Sequence, residues 1–270
     1  MAVKLIATDL DGTLMAPDHM TVTERTKAAL IAAHNKGIKF AIATGRTLTF
    51  TDSVTAQVPF ADYVVSSNGA AVYDRNAEKY VYSTLVPNSV VLEAVELLNT
   101  LPVHYHIYLG GRIYIQKSAM NYAADTGLPE DFLKDFISKV TLVDDLKNVI
   151  GESGAEVIDV FSMGENEAKI VEFFKSKNLV MTSAVRGELA ATALGADKGT
   201  ALRGLCEVIG ISTDEAMTFG DAENDCPMLE AAGLSFAMEN GNDICKSAAK
   251  AVAPSNAVDG VAQMIEKYCL

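Results

Sequence analysis

Short apolar runs in this chain stop abruptly at polar, oxygen-rich clusters, and helical patterning separates them. Val3 to Thr8 ends in Asp9-Leu10-Asp11-Gly12-Thr13, and Ile38 to Ala43 ends in Thr44-Gly45-Arg46. Ala216 to Phe219 ends in Gly220-Asp221-Ala222-Glu223-Asn224-Asp225. A strand buried on both faces reads as a near-continuous apolar run, and parallel sheets need helical crossovers between such strands. The expected fold class is therefore α/β, a Rossmann-like, doubly wound parallel sheet with helices on both faces.

The stretches between the runs support that order. Thr21-Val22-Thr23-Glu24 fits a capping box, Ala28, Leu30, Ile31 and Ala32 supply apolar content, and Gly37 sits where a C-terminal cap belongs. Later, Ala201 to Ile209, Pro227 to Ala232 and Val261 to Tyr268 read as helices, with a further strand at Leu234 to Met238.

Between about Thr84 and Glu188 the pattern changes. His104 to Leu109 and Arg112 to Gln116 flank Gly110-Gly111 as a β-hairpin would. Helical stretches at Val90 to Leu98 and Glu167 to Phe174 bracket strands at Glu156 to Phe161 and Leu179 to Ala184. This predicts a discontinuous core of residues 1–83 and 189–270, with an α+β cap domain, 84–188, inserted into it. A chain of 270 residues with 49% hydrophobic and 21% charged residues has the material for two such domains and shows no low-complexity tract.

A formal charge of -13 argues against nucleic acid or an anionic membrane as partner. It would also repel a phosphorylated substrate at long range, so a phosphate site needs local positive groups. The four cysteines show no metal-ligand spacing and read as reduced thiols. The apolar run before Asp9 is far shorter than a signal-peptide core, and no run of about 18 apolar residues occurs. The expectation is a cytoplasmic protein; oligomeric state is left open.

In an open parallel sheet, ligands bind outside the carboxyl ends of the strands. That rule brings Asp9 and Asp11 from the first strand near Thr44 from the second and Asp221 from a third. Clustered carboxylates without histidine or cysteine are hard oxygen ligands and favour Mg²⁺. With the metal on one side and the Lys198 ammonium on the other, Asp9 would stay ionised and a phosphate could approach; Thr44 offers a hydroxyl, and Gly12 and Gly45 allow close backbone approach. Two aspartates two residues apart suit a divided role, Asp9 attacking phosphorus and Asp11 transferring the proton. Asp11 would then need its pKa raised by neighbouring acids and partial burial.

These residues together resemble the haloacid dehalogenase superfamily, and within it the Cof-type sugar phosphatases with a large C2-type cap. Its four motifs are matched in order by Asp9-Leu10-Asp11-Gly12-Thr13, Thr44, Lys198-Gly199 and Gly220-Asp221 with Asn224-Asp225. The resemblance implies a Mg²⁺-dependent phosphatase acting on a small phosphorylated metabolite, such as a sugar phosphate, through an aspartyl phosphate. It implies magnesium ligation by the Asp9 carboxylate, the Asp11 backbone carbonyl and the Asp221 carboxylate. Leu10, Thr44, Gly45, Arg46, Asn68, Lys198 and Asn224 would face phosphate or substrate, and Asp225 would orient Lys198 from behind. The Asn68-Gly69-Ala70 turn and Asp259-Gly260 also resemble family loops beside the site. One departure is Leu189-Ala190-Ala191, where such proteins carry Leu-Glu-Ile; here the nearest acid is Glu188.

Two other functions share parts of this pattern. A phosphomutase would return the phosphoryl group to a sugar, and a signalling module would keep its phosphoaspartate; the module has no use for Asp11 or for a cap. His104 and His106 alternate on one strand face, but two histidines do not make a zinc site, and they are expected at the solvated cap surface.

Overall fold

The computed structural model describes residues 2–126, 136–183 and 187–270, which divide into two compact units, 1–83 with 197–270 and 84–196. The first unit opens with β1 (Leu5–Thr8), α1 (Glu24–Asn35), β2 (Lys39–Ala43), β3 (Tyr63–Ser66), β4 (Ala71–Asp74) and β5 (Lys79–Ser83). Helix α1 starts later than the capping box suggests: Thr23 is its N-cap, and its hydroxyl accepts from the Thr26 N–H.

The inserted unit carries α2 (Asn88–Leu98), β6 (His104–Leu109), β7 (Arg112–Gln116), β8 (Thr141–Val143), β9 (Val157–Phe161), α3 (Glu167–Ser176), β10 (Val180–Thr182) and β11 (Glu188–Thr192). Its strands form one sheet in the order β10-β11-β9-β6-β7-β8. The β6–β7 hairpin closes at Gly110 and Gly111, both with positive φ, as a two-residue turn between right-twisted strands demands. Of the strand expected at Leu179 to Ala184, Ala184 lies outside the described residues.

Strand β11 corrects the expected domain limit. It pairs antiparallel with β9 and β10, so the Leu189-Ala190-Ala191 stretch is a strand of the inserted sheet, and the second division falls at Ala196/Asp197 instead of after 188. Pairing with β9, about thirty residues back in the chain, ties this stretch to the middle of the inserted sheet.

The two histidines are also not at the surface. On one face of the inserted sheet His106 pairs with Asp159 and His104 with Phe161. His104 and His106 are 3% and 4% exposed, packed against Phe161, and His106 also stacks on Phe136. The other face sets Tyr105 opposite Val160 and Ile107 opposite Ile158, all buried.

The chain returns to the first unit through α4 (Lys198–Ile209), β12 (Ala216–Gly220), α5 (Cys226–Ala231), β13 (Leu234–Met238), α6 (Asp243–Ala248), β14 (Ala251–Ala253) and α7 (Gly260–Tyr268). The sheet order is β14-β13-β12-β1-β2-β3-β4-β5, parallel from β14 to β3 and antiparallel for β4 and β5. Because successive side chains point to opposite faces, Ile6, Phe40 and Ile42 join Leu30 and Ile265 in one apolar layer. Leu5, Ala7, Ala41 and Ala43 join Leu202 and Leu205 in the other. Both faces are thus covered by helices, as a doubly wound sheet requires. Strand β1 lies between β12 and β2, so the carboxyl ends of three neighbouring strands open side by side.

Candidate active site

Asp9 leaves β1 with its N–H donating to the Phe219 carbonyl of β12 at 3.0 Å, which ties the carboxyl end of one strand to the other. Its side chain is buried and accepts at Oδ1 from Lys198 Nζ at 2.6 Å. The same ammonium donates to Asp225 Oδ1 at 2.6 Å. Lys198 is the first residue of α4 and is fully buried; Asp197 caps the helix by accepting from the Thr200 N–H at 2.7 Å, which fixes the lysine's starting direction. The other oxygen of Asp225 accepts from the N–H groups of Asp221 and Ala222 at 2.9 and 3.0 Å. Asp225 is therefore fully engaged, and it shapes the loop that presents Asp221.

Asp221 accepts from the Thr13 hydroxyl at 2.8 Å, a contact across 208 residues. Gly12, at φ +82°, lies so close that a Cβ there would sit 2.4 Å from Asp221 Oδ2, so a side chain would strain the backbone and displace the Asp221 carboxylate. One carboxylate oxygen from each of Asp9, Asp221 and Asp225 falls within 4.8 Å of the others. Burial pushes the Asp9 carboxyl up to about 7, against the pull of Lys198, with Asp225 and Asp221 adding to the rise. Burial raises Asp221 as well, opposed by the Thr13 hydrogen bond. Burial alone would lower Lys198, but Asp9 and Asp225 more than offset it and the ammonium is held.

Thr44 follows β2; its N–H donates to Val65 O, and its buried hydroxyl accepts from the Arg46 N–H at 3.1 Å. Ser67, Asn68 and Gly69 all take positive φ, and the Asn68 N–H donates to Thr44 O. At Gly69 a Cβ would sit 2.2 Å from Asp197 O, so only glycine lets this loop lie against the start of α4. The loop turns the Asn68 side chain to accept from Asn224 Nδ2 at 2.9 Å. A cleft of about 270 Å³ opens onto Asp9, Asp11, Thr44, Gly45, Arg46 and Asn224.

Asp11 has different surroundings from those expected. Its oxygens accept from Arg46 Nε at 3.0 Å and Nη2 at 2.7 Å, and its side chain is 44% exposed. A guanidinium, not a group of acids, is its close neighbour, because Arg46 leaves the β2 loop beside the β1 loop. Leu10 is fully buried in the apolar layer, so only its backbone could meet a phosphate. Asp259 accepts from the Thr23 hydroxyl at 2.6 Å, an anchor between the α7 and α1 starts.

A sequence model of the haloacid dehalogenase-like hydrolases matches residues 6–265. The chain belongs to that family. This haloacid dehalogenase-like hydrolase is 27% identical over 269 residues to a 5-amino-6-(5-phospho-D-ribitylamino)uracil phosphatase of Bacillus subtilis, covering 99% of this chain and 96% of the other. It is 27% identical to the pyridoxal phosphate phosphatase of Escherichia coli over the full length of both. A solved haloacid dehalogenase-like hydrolase from Bacteroides thetaiotaomicron superposes with a TM-score of 0.81 at 25% identity, covering 98% and 99% of the two chains. The protein is thus an enzyme, a Cof-type phosphatase, and the signalling-module reading falls away. In this hydrolase two supporting roles escaped the motif reading: that of Thr13, quoted in the first motif without one, and that of Asn240, whose amide donates to Gly12 O at 2.8 Å.

Proposed function

We propose that this phosphatase hydrolyses small phosphomonoesters, of the sugar or polyol phosphate class, in two steps. An Asp9 oxygen attacks phosphorus while the bond to the leaving oxygen breaks, and Asp11 delivers a proton to that oxygen. Water then attacks the aspartyl phosphate, Asp11 takes the water's proton, and the Asp9–phosphorus bond breaks to release inorganic phosphate. The observation that carries this is Asp9 itself, a buried strand-end carboxylate held by Lys198 at the wall of an open cleft. Thr44, Gly45 and Asn224 line the same cleft as Asp9, with Lys198 bonded to Asp9 and Asn68 to Asn224, and we assign these five to the phosphoryl group.

The site's donors suit Mg²⁺. Three carboxylates cluster where one buried ammonium pairs with two of them, Asp9 and Asp225, which leaves a negative excess that a divalent cation would balance, and every candidate donor is a hard oxygen. Asp225 is spent on Lys198 and two N–H groups, so the Asp9 and Asp221 carboxylates and the Asp11 carbonyl are the groups to hold it. Bound there, the metal would polarise a phosphoryl oxygen and keep Asp9 ionised. Both relatives are named for small phosphomonoesters, the phosphoribitylamino one supporting the polyol phosphate class, and the inserted unit 84–196 is the part we assign to selectivity.

Phosphate release from p-nitrophenyl phosphate should vanish on chelation, return with Mg²⁺ and be inhibited by Ca²⁺. Asp221→Ala should need more Mg²⁺ for half-maximal activity. Full turnover after exhaustive chelation would exclude the metal reading, and no turnover of any phosphomonoester with Mg²⁺ would exclude the whole proposal.

A further inference from the structure

The Thr44-Gly45-Arg46 stretch lies on the cleft, which suggests that Arg46 meets the phosphoryl group. The geometry points elsewhere: we infer that Arg46 is a positioning residue for Asp11, holding the acid/base carboxyl at the cleft that Asp9 and Asp11 both line. The inference rests on the proposed role of Asp11 and adds a second residue to it.

The guanidinium is already committed. It meets Asp11 with Nε on one oxygen and Nη2 on the other, at 3.0 and 2.7 Å, the fork-to-fork arrangement in which arginine imposes direction as well as charge. Its backbone is fixed on both sides, since the Arg46 N–H donates to the Thr44 hydroxyl and its carbonyl accepts from the Ser67 N–H at 2.9 Å. A guanidinium on so anchored a backbone can set the orientation of its partner.

Asp11 needs such a holder. It lies in the turn Leu10–Leu14, where both Asp11 and Gly12 leave helical geometry, and its side chain is 44% exposed. A second ionisable neighbour, His19, stands with Nδ1 at 3.8 Å and is itself 62% exposed, too loosely held to direct a carboxylate. Without Arg46 the carboxyl would sample its rotamers in water, and proton transfer depends on placing it within hydrogen-bond reach of the leaving oxygen. Attraction for the phosphoryl group has other sources in Thr44, the Gly45 backbone and Asn224, which line the same cleft. With both oxygens accepting from Arg46, Asp11 must first take up a proton from solvent, which opens one of the two arginine bonds; the remaining one keeps the carboxyl in place while that proton passes to the leaving oxygen.

The two roles of Arg46 predict different kinetics. Every substrate shares the phosphoryl group, so a residue that only binds it costs the same for every leaving group. A residue that places the acid costs most where the leaving oxygen is a poor leaving group. Arg46→Ala and Arg46→Lys should therefore lower kcat/KM for an alkyl phosphate by about 10²-fold, and for p-nitrophenyl phosphate by less than about tenfold. Lysine keeps the charge and lacks the fork, so Arg46→Lys should retain this selective loss. In the Asp11→Asn background either Arg46 substitution should add little further loss on the alkyl phosphate. Thermal melts of each variant with Mg²⁺ confirm that the fold is kept.

Equal losses on both substrates, or full rescue of both by lysine, would overturn the inference and leave Arg46 a phosphate binder. So would losses that simply add to those of Asp11→Asn. If Asp11→Asn itself loses equally on the two substrates, the acid/base reading fails and takes the inference with it, so the two failures are told apart in one set of assays.

Discussion

Asp9 is buried, and the proposed nucleophile role requires it to be charged as well, a combination its surroundings work against. Its folded pKa of about 7 stands above the ordinary 3.8. Between those values the folded protein keeps a proton that the unfolded chain has released, so stability falls as pH rises through that window, and the cost persists above it. A neutral amide in place of this carboxyl would carry no such cost and could still accept from Lys198. Asp9→Asn should therefore reduce phosphatase turnover to background while its melting temperature, in chelator at pH 8, stays at or above wild type. Calorimetry at pH 5 and pH 8 checks this; a marked drop in melting temperature at pH 8 would show that Asp9 is held chiefly for stability. The proposed nucleophile was legible from Asp9-Leu10-Asp11-Gly12-Thr13 because the strand end and the carboxylate pair are local. The Arg46 fork on Asp11 was not, since it joins loops 35 residues apart.

Strand pairing in the inserted unit creates a second buried polar group. His104 Nδ1 lies 3.0 Å from the Ala119 carbonyl, which can only accept, so that nitrogen carries the proton. His104 Nε2 then accepts from His106 Nε2 at 2.7 Å, which leaves His106 Nδ1 a bare acceptor 3.8 Å from Asp159. Burial holds both histidines neutral, His106 most strongly. Burial, with Glu188 adding to it, pushes Asp159 up to about 8, although Tyr108 donates to it at 3.1 Å. The sign is the same as at Asp9: from about pH 4 to about pH 8 the unfolded state has lost this proton and the folded state has not, which costs up to a few kcal/mol at the top of the window. Asp159→Asn keeps an acceptor for Tyr108 and gains an N–H for His106. It should raise the melting temperature at pH 8 to 9 and leave it nearly unchanged at pH 4, measured in chelator on the full chain. An equal effect at both pH values would show that ionisation of Asp159 is not its cause. Alternation in His104-Tyr105-His106 identified the shared face, but whether that face was wet or buried depended on Phe136 and Phe161.

The insertion itself can be tested on the whole chain. Replacing residues 84–196 by a short Gly/Ser linker removes every strand of the inserted sheet together. The remaining unit should be soluble and bind Mg²⁺ with a phosphate mimic such as tungstate. Its kcat/KM should fall more for sugar phosphates than for p-nitrophenyl phosphate, whose leaving group needs less help. Cutting at 188 instead would strand Leu189 to Thr192 as an unpaired, apolar segment and should favour aggregation. If the 84–196 replacement keeps the full-length ranking of sugar phosphates, selectivity does not reside in the insertion.

The sequence by itself determined the strands β1, β2, β12 and β13 and the helices α1, α4, α5 and α7 of the first unit, the strand ends on which Asp9, Thr44 and Asp221 stand, and the family, while β3, β4, β5, α6 and β14 went unread. Each feature that was read is written in short-range periodicity and in motifs a few residues long. Only the tertiary structure decided that Asp11 lies in the Arg46 fork, that Thr13 supports Asp221, that Leu189-Ala190-Ala191 is a strand of the inserted sheet, and that His104 and His106 are buried. In each case the deciding partner is distant in the chain, and a side chain's environment is set by the groups that folding brings beside it.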